Sequence, residues 1–90
     1  MRTYMICYDN QNDETDAFGE QMRQWKCVQP SASLWFGSLT NNALAVREIL
    51  RSLVRANEAL FICEIKPSSD WATLQMHSTL SEWVRANIGP

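Results

Sequence analysis

The sequence predicts a single α+β domain, residues 1–90, in which a four-stranded antiparallel sheet carries two helices on one face and a further helix follows at the carboxyl end. Three observations lead there. Short runs dense in aromatic and aliphatic residues recur at 3–9, 33–39 and 59–65, with the length and composition of strands. Between them lie amphipathic stretches whose apolar residues recur at helical spacing and whose starts carry Asp, Asn or Thr, the signature of capped helices. At 90 residues the chain holds one core only, and a domain of this size buries about 60–65% of the surface its unfolded form exposes. Support from a partner subunit is expected on that ground.

The first strand, "TYMICYD", is apolar on both parities, with Met5 and Cys7 on one face and Tyr4, Ile6 and Tyr8 on the other. A strand of that kind is central in its sheet and covered on both sides. Asp13 is placed to cap a helix over 14–25, where Phe18, Met22 and Trp25 form one stripe. Asp13, Glu14 and Asp16 sit at its positive end, and Arg23 and Lys26 at its negative end, as the macrodipole favours. Pro30 lacks an amide hydrogen, so a short strand is expected at 26–29, a turn at 30–32 and a strand over 33–39 that sends Trp35 and Phe36 to opposite faces. Thr40 or Asn41 would cap a second helix running to 55 with a core stripe of Val46, Ile49, Leu50 and Leu53. The fourth strand, 59–65, places Phe61, Cys63 and Ile65 on one side and Leu60 and Ile62 on the other. Pro67 ends it. Ser68 or Ser69 would open a last helical region with a stripe of Met76, Leu80, Trp83 and Val84, broken near His77, where Thr79 and Glu82 fit a capping box. The order β-α-β-β-α-β-α fits an open-faced sandwich of the ferredoxin-like type. Its strands are apolar on both faces, and one terminal helix is short cover for the second, so a homodimer is expected, sheet against sheet or by extension at an edge.

Composition narrows the function. With 46% hydrophobic and 20% charged residues the chain is globular in kind, and a net charge of −2 gives no global attraction to nucleic acid. No apolar run approaches the ~20 residues that span a bilayer, and "MRTYMICYD" meets an acid too early for a signal peptide, so a cytoplasmic protein without membrane contact is expected. Cys7, Cys27 and Cys63 lie in apolar runs and read as buried reduced thiols. His77, the single histidine, has no nucleophile motif beside it. A calcium loop begun at Asp9 fails, because its sixth position is Glu14 where the sharp turn needs Gly, and its third is Gln11.

Two features remain. Asp9 ends a central strand, where a hard carboxylate suits Mg²⁺ or Mn²⁺, and two copies brought together by a dimer axis would make a better site than one. The alternative is that Asp9 forms the turn after the strand by accepting from the amides of Gln11 or Asn12. Arg47, Arg51 and Arg55 recur every four residues on the second helix, a ridge able to meet successive phosphates or, as a solvated flank, to pair with Glu48 and Glu58.

The strand ending "CYD" and the segment "SLWFGSLT" together resemble the small CRISPR-associated subunit of spacer acquisition and its relatives, the virulence-associated protein D toxins. In that superfamily a first strand ends in Tyr-Asp and a later one carries Ser, a hydrophobic residue, an aromatic and often Gly before a helix; here these are Tyr8, Asp9, Ser33, Leu34, Trp35 and Gly37. The carboxyl-terminal "DWATLQMHSTLSEWVRANI" is more similar to short bacterial proteins labelled SinR-like. The resemblance implies a ferredoxin-like homodimer with Tyr8 and Trp35 toward the interface and Asp9 of each subunit binding a shared ion. It also implies either a metal-dependent endoribonuclease, with Ser33 shaping the pocket, or a non-catalytic adaptor for RNA, DNA or a protein encoded nearby. "NDETDAFGE" and "QPSA" hold no basic residue where the adaptation proteins commonly place them, which weighs against duplex-DNA scaffolding and toward the non-catalytic adaptor.

Overall fold

A computed structural model of the chain describes residues 1–9 and 16–89. Strand β1 (Arg2–Tyr8) is followed by helix α1 (Ala17–Gln24), strands β2 (Val28–Ser31) and β3 (Leu34–Leu39), and helix α2 (Ala43–Leu50), which tightens into a 3₁₀ turn over Arg51–Leu53. Strand β4 (Leu60–Ile65) and helix α3 (Ser78–Asn87) complete the chain. The sheet order is β2-β3-β1-β4, with β1 antiparallel to both β3 and β4 and β2 antiparallel to β3. This is the ferredoxin-like open-faced sandwich with an additional carboxyl-terminal helix.

The two-sided apolar pattern of β1 has the predicted consequence. Tyr4, Ile6 and Tyr8 are buried against Phe18 and Met22 of α1 and Val46 and Leu50 of α2, with Trp35 and Leu39 of β3 in the same core. Each large apolar side chain removed from water in this way contributes about 1.5–3 kcal/mol. On the opposite face α3 lies over part of the sheet, stacking Trp83 on Phe36 with ring centroids 6.1 Å apart and receiving the Thr3 hydroxyl at the Asn87 carbonyl, 3.3 Å. That cover is partial: Phe61 on β4 remains 58% exposed, and Met5, Cys7 and Cys63 are half-buried.

Several boundaries differ from expectation. Asp13, expected as the first helix cap, lies outside the described residues. Helix α1 is capped instead by Asp16, whose carboxylate accepts from the Gly19 amide at 3.2 Å and pairs with Arg23 at 2.9 Å. Strand β2 runs through Pro30, which an edge strand tolerates because its missing donor can face away from the ladder, and the register slips by one between Val28 and Ser31. Asn42, not Thr40 or Asn41, caps α2 by accepting from the Ala45 amide at 2.9 Å. That helix ends at Leu50 rather than 55, and within it Ile49 lies off the line of Val46 and Leu50 that faces the sheet, so at 43% exposure it is not a core residue. No helix begins at Ser68 or Ser69: residues 66–77 run irregularly, with left-handed backbone at Ser68 and Gln75, and tie back to the end of α3 through the Ser68 amide and the Trp71 indole, which donate to Ile88 and Gly89.

Candidate functional site: an arginine-bordered groove at a sheet edge

Tyrosine placement on β1 builds the site. A buried tyrosine needs a partner for its hydroxyl, and the two on the helix-facing side of β1 find theirs at the two ends of the α2 region. Tyr4 donates to the Asn41 carbonyl at 2.6 Å, just ahead of the cap, and Tyr8 donates to the Glu58 carboxylate in the connection to β4. Burial raises the Tyr8 pKa, the Glu58 hydrogen bond and charge push the same way, and the Arg55 main chain and charge oppose them. The two flanks of α2 are thereby tied to the central strand β1, beside which β4 lies.

Between α2 and β4 an open groove remains. Its wider part, about 690 Å³, is lined by Arg47, Arg51, Val54, Ala56 and Leu60, and it adjoins a part of about 300 Å³ lined by Ala43, Leu44, Arg47, Leu60 and Ile62. The floor is aliphatic and the charged lining residues are arginines, both held loosely on their outer side by Glu48 at 3.4 and 3.5 Å. Such exposed pairs are worth 0.2–1 kcal/mol at most, so a better anionic partner would displace Glu48. Leu44, on the rim, is 58% exposed. The outer edge of the groove is β4, whose only strand neighbour among the described residues is β1.

Asp9 follows directly on β1 and is exposed. The Tyr8 amide donates to the Ser33 carbonyl at 2.9 Å, so the ends of the two motif segments "CYD" and "SLWFG" meet at one end of the sheet with Ser33 in the exposed β2–β3 turn. Among the described residues no three His, Cys, Asp or Glu side chains come together as a metal site; a shared ion would draw on Asp9 of a second copy. The Asp9 turn bonds expected from Gln11 or Asn12 lie outside the described residues. Tyr8 and Trp35, expected at a dimer interface, are 4% and 6% exposed within the chain's own core, and the apolar side chain that the sheet leaves open is Phe61. His77 is the cap of α3, accepting from the Thr79 amide at 3.2 Å, in place of the expected capping box.

Cys27 is buried, and burial pushes its thiol up to about 11. Cys7 and Cys63 are half-buried on the second face of the sheet. No helix among the described residues is long and apolar enough to cross a membrane. No family model, curated protein or solved structure matches the chain.

The arginine spacing was legible in the sequence, but the ridge is shorter than expected: α2 ends at Leu50, Arg51 lies in the 3₁₀ turn, and Arg55 falls in the connection beyond it, outside the groove lining. The ridge's position beside an open strand edge was not legible, because that follows from β4 pairing, among the described residues, with β1 alone, a long-range choice that no local pattern records. Leu44 and Val54, which line the groove, carried the one available signal, apolar residues flanking the ridge outside the core stripe.

Proposed function

We propose that this chain is a small, non-catalytic, homodimeric binding module, an adaptor that engages an anionic partner through the groove between α2 and β4. The observation that carries the reading is Arg47 and Arg51, 58% and 77% exposed at their side chains, standing side by side along an open groove beside β4, which has no outer strand neighbour among the described residues. Dimerisation is supported by the sheet face that α3 leaves partly open around Phe61, which a second copy would cover. The motif resemblance to the adaptation-subunit and virulence-associated protein D superfamily is consistent with both parts. Sedimentation equilibrium tests the dimer: the wild-type chain is expected at twice its monomer mass and Phe61→Asp at the monomer mass, whereas a wild-type monomer at high micromolar concentration would refute the pairing.

A second reading, a metal-dependent endoribonuclease, is favoured by the meeting of Asp9 with the Ser33 turn at one exposed end of the sheet. In it Asp9 of each subunit would hold Mg²⁺ or Mn²⁺, Ser33 would shape the pocket, and Arg47, Arg51 or Arg55 would steer phosphate. Incubation with labelled RNA and Mg²⁺ separates the two. Cleavage lost in Asp9→Ala would replace the binding-module reading with this one.

A further inference from the structure

The binding-module reading leaves the ligand open, and the chemistry of the groove narrows it. Single-stranded nucleic acid is held by stacking bases on aromatic rings as well as by charge, yet the lining here is Ala43, Leu44, Val54, Ala56, Leu60 and Ile62 with the two arginines. Aliphatic floors receive aliphatic side chains. The narrower part of the groove runs between α2 and β4, an edge strand among the described residues, with the 3₁₀ turn and the connection after it walling the wider part. An edge strand turns the N–H and C=O groups of alternate residues outward, ready for another chain. A groove of this construction is a place where an extended peptide adds to a sheet.

We propose that the groove binds an extended acidic peptide, which adds to the free edge of β4 as a fifth strand and presents an aliphatic side chain to Leu44, Leu60 and Ile62 and a carboxylate to Arg47 and Arg51. This inference rests on the binding-module reading and names its partner. The spacing supports it. From Leu44 to the level midway between Arg47 and Arg51 is five residues, about 7.5 Å along a helix axis. Side chains two apart on one face of a strand are separated by about 6.6–6.8 Å. One strand therefore places an aliphatic and an acidic residue, at positions i and i+2, at the two ends of the groove. The sign of the charge follows from the lining, where the charged side chains are arginines held by one shared, displaceable carboxylate, Glu48. The opposite parity of the added strand would lie toward Phe61 and Cys63, beyond the cover of α3.

The test uses the full chain and a fluorescein-labelled heptapeptide, Thr-Leu-Thr-Glu-Thr-Glu-Thr, followed by fluorescence anisotropy. Binding is expected, weakening at least tenfold in the Arg47→Glu/Arg51→Glu double variant and at least tenfold when alternate peptide amides are N-methylated so as to block strand pairing while leaving charge intact. The arginines are exposed, so the variant should fold, and its circular dichroism should match wild type. Equal affinity for the N-methylated peptide would overturn the inference, leaving a charge contact without strand addition. Tighter binding of a uridine-rich RNA oligomer than of the heptapeptide would also overturn it while leaving the binding-module reading intact. So would failure of the peptide to bind because a second copy occupies β4, seen as a dimer whose β4 amides are protected without peptide. Cleavage of that RNA in Mg²⁺ would instead reject the binding-module reading itself.

Discussion

Replacing Gly37 with Ala puts the packing of the sheet to a quantitative test. Gly37 lies in β3 opposite Tyr4 and is buried on the helix-facing side, where Cys27 crosses it as the chain enters β2. A Cβ added there would stand 2.5 Å from the Cys27 sulfur, so the sulfur would have to retreat by about 0.9 Å to reach the 3.4 Å where ordinary contact begins. It has little room, being itself part of the buried core. Overpacking of this kind costs about 1–3 kcal/mol, offset by the ~0.5–1 kcal/mol that Ala gains over Gly in a strand interior through lower chain entropy. The net expectation is a loss of about 0–2.5 kcal/mol, centred near 1 kcal/mol. In a domain of this size a loss of about 1 kcal/mol lowers the melting temperature by roughly 4–8 °C. Urea denaturation of wild type, Gly37→Ala, Cys27→Ala and the double variant supplies the decisive comparison. Truncating Cys27 removes the atom that obstructs the methyl group, so the double variant should be more stable than the sum of the single losses predicts by the overpacking cost itself, about 1–3 kcal/mol. Additive losses, within the ~0.5 kcal/mol typical of independent sites, would refute the close approach of Cys27 to β3. The same geometry gives a physical reason for glycine in the segment "SLWFGS": the sheet needs a missing side chain where the incoming strand passes.

Three further outcomes follow from the structure. Helix α1 ends in a left-handed Lys26, with its amide and that of Cys27 donating to Arg23 and Met22; Gly is preferred at this position, so Lys26→Gly should stabilise the chain by about 0.5–1 kcal/mol, given the ~1–2 kcal/mol cost of that conformation for other residues, read as a higher urea midpoint. The Cys27 thiol, pushed from 9.0 up to about 11 by burial, stays protonated in the folded chain while the unfolded chain ionises it. Its contribution is therefore complete below pH 9 and lost as pH rises toward 11, by at most about 2–3 kcal/mol, and Cys27→Ala should flatten the decline in stability over that interval. Asp16→Ala should cost about 1 kcal/mol through loss of the α1 cap and lower the thermal midpoint correspondingly.

The parity of apolar residues in β1, β3 and β4 was enough to place the strands, their two faces and the central position of β1, because burial on both sides leaves a signal in consecutive residues. Helix starts were less legible. Asp13 and Asp16 both satisfy the chemistry of a cap, as do Thr40, Asn41 and Asn42, and the choice at each start falls to how Phe18 and Met22, or Val46 and Leu50, reach the sheet. Ile49 fell near the core stripe in the sequence but lies on its flank, about 80° around the helix from the line of Val46 and Leu50, and faces solvent. Ser68 and Ser69 offered the chemistry of a helix start, yet the segment 68–76 is anchored by the Ser68 amide and the Trp71 side chain to the end of α3 in irregular backbone. At the site, the recurrence of Arg47, Arg51 and Arg55 was visible in the sequence. The Tyr4 and Tyr8 hydroxyl bonds that tie the flanks of α2 to β1 join residues 37 and 50 positions apart, beyond the reach of any periodicity.

Hydrogen exchange of the β4 backbone, with and without the acidic heptapeptide, tests the central claim most directly. If the groove takes a strand, the outward-facing amides among residues 60–65 should exchange more slowly in its presence, by at least tenfold at saturating peptide, and not in the Arg47→Glu/Arg51→Glu variant. Exchange in β4 that is unchanged by a peptide shown to bind would place the ligand elsewhere and contradict the account.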